Sequence, residues 1–341
     1  MNSGFRKVYL VPVGICLAVI AGLIYYYFFS SLSARTTTTY IYIDSNDNID
    51  SVYAKLEPIA SHHGMTGFRT LVRHSRYADH IRPGRYEVAP GTGAFMVFRH
   101  LKNGAQAPIS LTIPSVRTLD RLAGEVTRKL MIDSVALYHA LTDPEVCRRY
   151  GYDTLTIGCM FIPNTYDVYW NISLEKFLER MKEENKNFWN DERTEKARDM
   201  GLSENEVITL ASIVDEETSN DKEKPMIAGM YYNRLKHDMP LQADPTVKYA
   251  LKRFELKRIY NNHLQVNSPF NTYRNTGLPP GPIRIPTVAG IDAVLNYVKH
   301  DYFYMCAKED FSGTHNFAHT YEEHLQNAAK YSKALNERNI R

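Results

Sequence analysis

The chain has 341 residues, 44% of them hydrophobic and 23% charged, which excludes an intrinsically disordered chain and leaves room for two domains and an anchor. A formal net charge of +3 is too small to argue for nucleic acid as a partner. Four cysteines with no C-x-x-C spacing exclude a disulfide scaffold, since Cys147, Cys159 and Cys306 are left outside the apolar N-terminal stretch and three thiols cannot all pair.

Residues 8–30, "VYLVPVGICLAVIAGLIYYYFFS", are apolar and uncharged, and as a helix they span roughly 34 Å, enough to cross a bilayer. A cleaved signal peptide has a shorter apolar core, so a retained single-pass anchor is the expectation. Arg6 and Lys7 precede the stretch and only Arg35 follows closely. That bias predicts residues 1–7 in the cytoplasm and residues 36–341 outside it, with Tyr25–Tyr27 at the outer interface. Residues 31–39, with their threonine run, read as a linker.

Three strand–turn–helix units follow, the first being "YIYID" then "SNDNIDSVYAKLEPIA". "GRYEVAPGTGAFMVFRHLKNG" repeats the pattern, with Gly104 as the stop, and "ISLTIPSVRTLDRLAGEVTRKL" gives it again, with Thr118 at the N-cap. Residues 40–130 therefore read as a small α+β region, and residues 131–341 as a second domain of helices joined by long Pro/Gly/Asn loops. Loops of that length in a compact domain commonly form binding surfaces. Cys147 and Cys159 are expected as buried free thiols, a bond between them being the alternative in an oxidising compartment. The 24 tyrosines suit flat amphipathic ligands such as sugars, but they fill cores equally well.

"GLSENEVITLASIVDEET" places Ser203 and Glu206 in capping-box spacing before an apolar run, so a helix is predicted over 204–218. At 100° per residue, Val207, Ile208, Leu210, Ala211, Ile213 and Val214 form a broad apolar arc. Thr209, Ser212 and Glu216 form a narrow polar stripe, which makes Glu216 the solvent-facing carboxylate. Asp215 and Glu217 fall inside the edges of the apolar arc. A carboxyl there loses hydration and keeps its proton near neutrality, as a general acid requires. Spacing narrows three candidates to two.

Four segments in fixed order carry a resemblance: "LASIVDEET", "IAGMYYNRLKHDMPLQADPTVKYAL", "SPFNTYRNTGLPPGPI" and "GTHNFAHTYEEH". Together they resemble the YceG-like family of membrane-anchored endolytic murein transglycosylases, over about 205–325. The region before them resembles that family's LysM-like N-terminal part. The resemblance implies an α+β protein with a transmembrane helix, a LysM-like subdomain and a mixed α/β catalytic domain whose catalytic glutamate sits on a helix. That glutamate, the last acid of E-x-E-T, falls on Glu217; the motif's first acid is Asp215 here, a departure that argues against an essential role for it.

The same resemblance, with the stiff polar loops of "LQADPTV" and "NTYRNTGLPPGP", implies a glycan-binding rim. Its members are Asn233, Arg234, Gln242, Asp244, Thr246, Asn271, Thr272, Tyr273, Gly277, Leu278, Pro279 and His315. Three roles are open to Asp244: second catalytic carboxylate, acceptor for a sugar hydroxyl, or helix cap. His315 and His319 lie at i, i+4, but H-E-x-x-H is absent and only His324 or Glu322–Glu323 is nearby as a further ligand, so no metal is expected. Lys252, Arg253, Lys257 and Arg258 read as a solvated face. No organic cofactor is implied, and no phosphate-loop, dinucleotide, serine-elbow or kinase signature occurs.

The implied reaction cuts the β-1,4 link between N-acetylmuramic acid and N-acetylglucosamine within peptidoglycan strands, leaving 1,6-anhydro ends. Implied partners are the glycan strands and the membrane-bound synthases of the elongation machinery. Two rivals stand beside it: a hydrolase pairing Glu217 with Asp244, and a non-catalytic glycan-binding scaffold.

Overall fold

A computed structural model describes residues 4–256 and 258–337. Residues 1–3 of the expected cytoplasmic N-terminus, and Lys257 of the basic run, lie outside the described residues. The architecture is mixed α+β, with an apolar N-terminal helix and small two-stranded sheets. Two compact units are present: Met1–Ser110 with Lys129–Met131 and Asp167–Ile172, and Leu111–Arg128 with Ile132–Tyr166 and Ser173–Arg341.

The first unit begins with α1 (Gly4–Ile24), which widens into a π turn over Tyr25–Phe29. The segment Leu10–Phe29 has a mean hydropathy of 2.1 and none of it is buried in protein, so by length and composition it is a candidate membrane span. Next come β1 (Thr39–Ile43), α2 (Ile49–Leu56), α3 (His62–Arg73), β2 (Gly84–Val88) and α4 (Ala94–Asn103). β1 and β2 pair antiparallel from Thr39 opposite Val88 to Ile43 opposite Gly84. The period of two sends Ile41 and Ile43 inward onto Val52, Leu56, Phe68, Tyr86 and Val97, while Tyr40 and Tyr42 face out.

α4 ends as its sequence requires, on Gly104 in the left-handed region (φ 70°). The expected linker starts within this core: Leu32 is fully buried, its N–H bonded to Thr92 O at 2.8 Å and its carbonyl to Ser61 N–H at 2.7 Å. Apolar burial and backbone pairing thus draw the first part of 31–39 into the fold.

β3 (Ile109–Thr112) leads into α5 (Leu119–Thr127), α6 (Ser134–Thr142), α7 (Pro144–Arg149), β4 (Thr165–Val168), α8 (Leu174–Phe188) and α9 (Asp191–Asp199). β3 pairs with β4. α5 buries Leu122, Ala123 and Val126, and the segment between β3 and α5 bonds the 285 region (Ile285 N–H to Val116 O, 2.8 Å). Those contacts attach 111–128 to the second unit, earlier in the chain than the 130/131 boundary expected from the motifs. Thr118 stands at the N-cap of α5, but its side chain makes no capping bond. Cys147 and Cys159 are buried free thiols.

The rest of the second unit is α10 (Glu204–Glu217), α11 (Lys224–Lys236), α12 (Asp244–Leu251), α13 (Val288–Leu295), β5 (Tyr304–Ala307), β6 (His315–Ala318) and α14 (Tyr321–Glu337). α10 is the central element, packed by α9, α11, α12 and α13. β5 and β6 pair antiparallel, Tyr304 opposite Ala318 and Ala307 opposite His315.

Candidate active site

α10 opens with the capping box read from its sequence: Glu206 N–H donates to Ser203 Oγ, and Ser203 N–H to Glu206 Oε2 at 2.7 Å. Every residue from Val207 to Asp215 is buried. The polar stripe is therefore not a solvent face. Ser212 Oγ donates to Thr209 O (2.7 Å) and accepts the N–H of Ile283 (3.0 Å), so the loop after Pro282 covers the stripe. The helical period located the stripe correctly but could not show that a distant loop would satisfy it.

The three acids at its end have three different environments. Asp215 is 2% exposed at its side chain and pairs with Lys224 Nζ at 2.8 Å. It also accepts Thr287 N–H at 2.5 Å and Thr287 Oγ1 at 3.1 Å, which ties α10 to the start of α13. Burial alone would lower the Lys224 pKa, but its bonds to Asp215 and Asp221 outweigh that and raise it.

Glu216 corrects the sequence expectation. Its side chain is only 10% exposed, accepting Arg117 Nε (2.7 Å) and Nη2 (2.9 Å) and Arg284 Nη1 (3.1 Å). Two arginines from remote segments reach over the stripe to it, so a carboxylate facing away from the apolar arc is held in an ion-pair cluster.

Glu217 is the last residue of α10 and faces a cleft of about 280 Å³. Burial is the largest influence on its carboxyl and raises the pKa. The Tyr231 hydroxyl, donating to Glu217 Oε1 at 2.6 Å, acts in the opposite direction; the negative charge of Asp244 adds to the rise, while His315 and Lys248 oppose it. Of the three acids, Glu217 is the one that lines the cleft.

α11 and α12 supply the facing wall. Tyr231 and Arg234 lie one turn apart on α11, and both line the cleft. Arg234 is 6% exposed and donates to the carbonyls of Phe303 (2.6 Å), Pro240 (3.0 Å) and Leu241 (3.0 Å) and to Gln242 Oε1 (3.2 Å). Gln242 takes a positive φ of 51°, with its N–H on Thr272 O, and this turn brings its side chain to the cleft. Asp244 begins α12, but its carboxylate makes no capping bond; it accepts the Tyr273 hydroxyl at 2.6 Å. Burial, then that bond, pushes the Tyr273 phenol far up, so it stays a donor.

Five of the expected residues therefore share the cleft with one another: Glu217, Arg234, Gln242, Asp244 and Tyr273. Thr246, Asn271 and Thr272 do not. All three are at most 1% exposed and present no surface to a glycan. Asn271 Nδ2 holds the carbonyls of Leu264 and Val266 (2.9 Å each), and the Thr246 and Thr272 hydroxyls bond each other at 2.8 Å. Their motif positions serve to shape the loop behind Tyr273.

Asn233 donates to the carbonyls of His300 (2.6 Å) and Tyr302 (3.0 Å), fixing the approach to β5. Gly277, Leu278 and Pro279 lie on a loop outside the cleft lining, with Gly277 at φ 78°. His315 is held by Glu223, which accepts its N–H at 2.6 Å and faces its Nδ1 at 3.1 Å. Among the described residues no group of His, Cys, Asp and Glu could hold a metal ion.

Spacing overlooked Tyr231, Tyr304 and Tyr321 and offered His324 only as a further metal ligand; all four line the cleft. Two of them carried a signal, for Tyr321 and His324 sit at i, i+3 on one helical face. The pairing of Tyr231 with Glu217 has none, because the two helices meet only in the fold.

A model of the YceG-like family matches residues 41–330. The chain is similar to an endolytic murein transglycosylase of Bacillus subtilis (strain 168), 28% identical over 319 residues that cover 89% of this chain and 87% of that protein. It is also similar to an endolytic murein transglycosylase of Streptococcus pneumoniae serotype 2 (strain D39 / NCTC 7466), at 27% identity, covering 85% of this chain and 57% of that longer protein. Among solved structures, a yceG-like protein from Listeria monocytogenes superposes with a TM-score of 0.55 at 27% identity, over 86% of this chain and 99% of the other.

Proposed function

The chain belongs to the YceG-like family, and from that premise we propose that it is an endolytic murein transglycosylase anchored by α1, with Glu217 as its acid–base group. The observation that carries this is a single carboxyl with a raised pKa, turned into a tyrosine-lined cleft. Burial that raises its pKa suits Glu217 to act as general acid toward the oxygen bridging N-acetylmuramic acid and N-acetylglucosamine. As the C1–O4 bond breaks, O4 takes the proton and leaves. The ionised Glu217 then takes the proton of the muramyl 6-hydroxyl as that oxygen bonds C1, closing a 1,6-anhydro ring. Glu217 ends protonated, water is not consumed, and no metal is called for. One carboxyl suffices because the substrate supplies the nucleophile in place.

Arg234, Gln242, Asp244 and Tyr273 would bind and orient the sugars, Asp244 and Tyr273 as a linked acceptor–donor pair. The same proposal gives residues 40–130 a LysM-like role and residues 131–341 the catalytic one. It puts residues 1–7 in the cytoplasm and the enzyme outside the inner membrane, beside the membrane-bound synthases whose strands it would cut.

The rival hydrolase draws on one observation, that Asp244 shares the cleft with Glu217. Digesting purified glycan strands in ¹⁸O-water separates the two. Anhydro ends without label are expected, whereas label at a reducing muramyl end would make the protein a hydrolase. Glu217→Gln is expected to lose ~10²–10⁴ in rate, with Asp244→Asn losing less. A fully active Glu217→Gln would exclude Glu217 as the acid–base group, and a wild-type protein that cuts no strand would leave the scaffold reading.

A further inference from the structure

We propose that Tyr231 is a positioning residue for Glu217: its hydroxyl occupies Oε1, so that the catalytic proton sits on Oε2 and faces the substrate. The proposal rests on the acid–base reading of Glu217 and goes beyond it by assigning the reacting oxygen and the group that selects it.

The argument begins with burial. Tyr231 is 2% exposed, and its hydroxyl lies 2.6 Å from Glu217 Oε1. A phenol has one hydrogen to donate, and leaving it unmatched in the interior is costly. Among the described residues Glu217 is the partner of that hydroxyl, so it donates to Oε1 whether the carboxyl is charged or neutral. An oxygen that accepts this bond is a poor place for the acid proton, which is left to Oε2. Among the described residues, Oε2 has no protein partner, and Glu217 lines the cleft. Tyr231 thus keeps the carboxyl from rotating and points its protonated edge at the ligand.

The same bond also sets proton affinity. The charged or titratable groups near Glu217 are Arg234 on α11, Asp244 and Lys248 on α12, Tyr273 on the following loop, His315 on β6 and His324 on α14. α9 and α13, which also pack on α10, bring Arg193 and Asp292, paired with each other at 3.1 Å. Asp215 and Glu216 on α10 itself are neutralised by Lys224, Arg117 and Arg284. Burial favours the acid form, and the Tyr231 bond favours the ionised form. A group that must both give and reclaim a proton needs the two in balance.

The test compares Tyr231→Phe with wild type and Glu217→Gln, scoring anhydro-ended products across pH. Glu217 must be protonated to start, so the alkaline fall in rate follows its pKa. Losing the Tyr231 bond raises that pKa, so the fall should move to higher pH. Turnover at the optimum should drop about tenfold or more, the usual effect of losing a hydrogen bond to a charged group, with KM nearly unchanged. Infrared difference spectra between wild type and Glu217→Gln should show the carboxyl band of Glu217, and Tyr231→Phe should shift it.

Replacing Tyr231 with 3-fluorotyrosine strengthens the donor without changing the shape, and should move the alkaline fall to lower pH even if Tyr231→Phe fails to fold. An unchanged profile and band in both variants, with Glu217→Gln inactive, overturns the proposal alone. An active Glu217→Gln overturns the reading beneath it.

Discussion

Residue identity says little about the three adjacent acids, and environment says nearly everything. Asp215 shares the buried Lys224 with the exposed Asp221, so removing it leaves the ammonium one partner and should cost less than the ~3–5 kcal/mol typical of a buried charge left alone. Asp215→Ala should lower the urea midpoint accordingly, and adding Lys224→Met should recover much of the loss. A single variant as stable as wild type would show that this pair does not join the helices.

Glu217 carries the opposite sign. Its folded pKa lies above the unfolded value, so the folded chain holds a proton over a window where the unfolded chain has lost it. Stability contributed by this group therefore falls as pH rises from the ordinary glutamate range through the raised value. Glu217→Gln should be more stable than wild type at neutral pH, with the gap closing on acidification. Denaturation at a series of pH values checks this, and a gap independent of pH would contradict the burial argument.

At the scale of elements, close approach decides how α10 meets α13. A Cβ on Gly290 would stand 2.5 Å from Asp215 Oδ1, so glycine there lets the N-terminal turn of α13 close over the carboxylate. Gly290→Ala should destabilise by about 1–3 kcal/mol, as overpacking does, and calorimetric melting would detect it. Gly67 does similar work in the first unit, where a side chain would run into the carbonyl of Tyr27. Local elements were legible: the strand Thr39–Ile43, the Gly104 stop and the Ser203 capping box all follow from periodicity and capping chemistry. The cover on the polar stripe was not, because Ile283, Arg284 and Arg117 come from segments about seventy to a hundred residues away.

For the whole molecule, sidedness is argued from the charges flanking one apolar helix. Arg6 and Lys7 before it predict that the second unit lies outside the cytoplasm. Protease added to the outer face of opened envelopes should digest that unit while the membrane stays sealed. Digestion from the cytoplasmic side alone would reverse the orientation, and with it access to murein.

The apolar span, the strand–helix order, the α10 cap and, through four motifs, the family were all legible along the chain. Each of these depends on interactions between near neighbours, or on a pattern written continuously along the chain. It took the folded arrangement to pair and cover Glu216, to set Thr246, Asn271 and Thr272 behind a loop, and to bring Tyr231 to Glu217. Those outcomes depend on which distant segment arrives to satisfy a buried polar group. Helical period fixes the direction a side chain points, but not the partner it finds there.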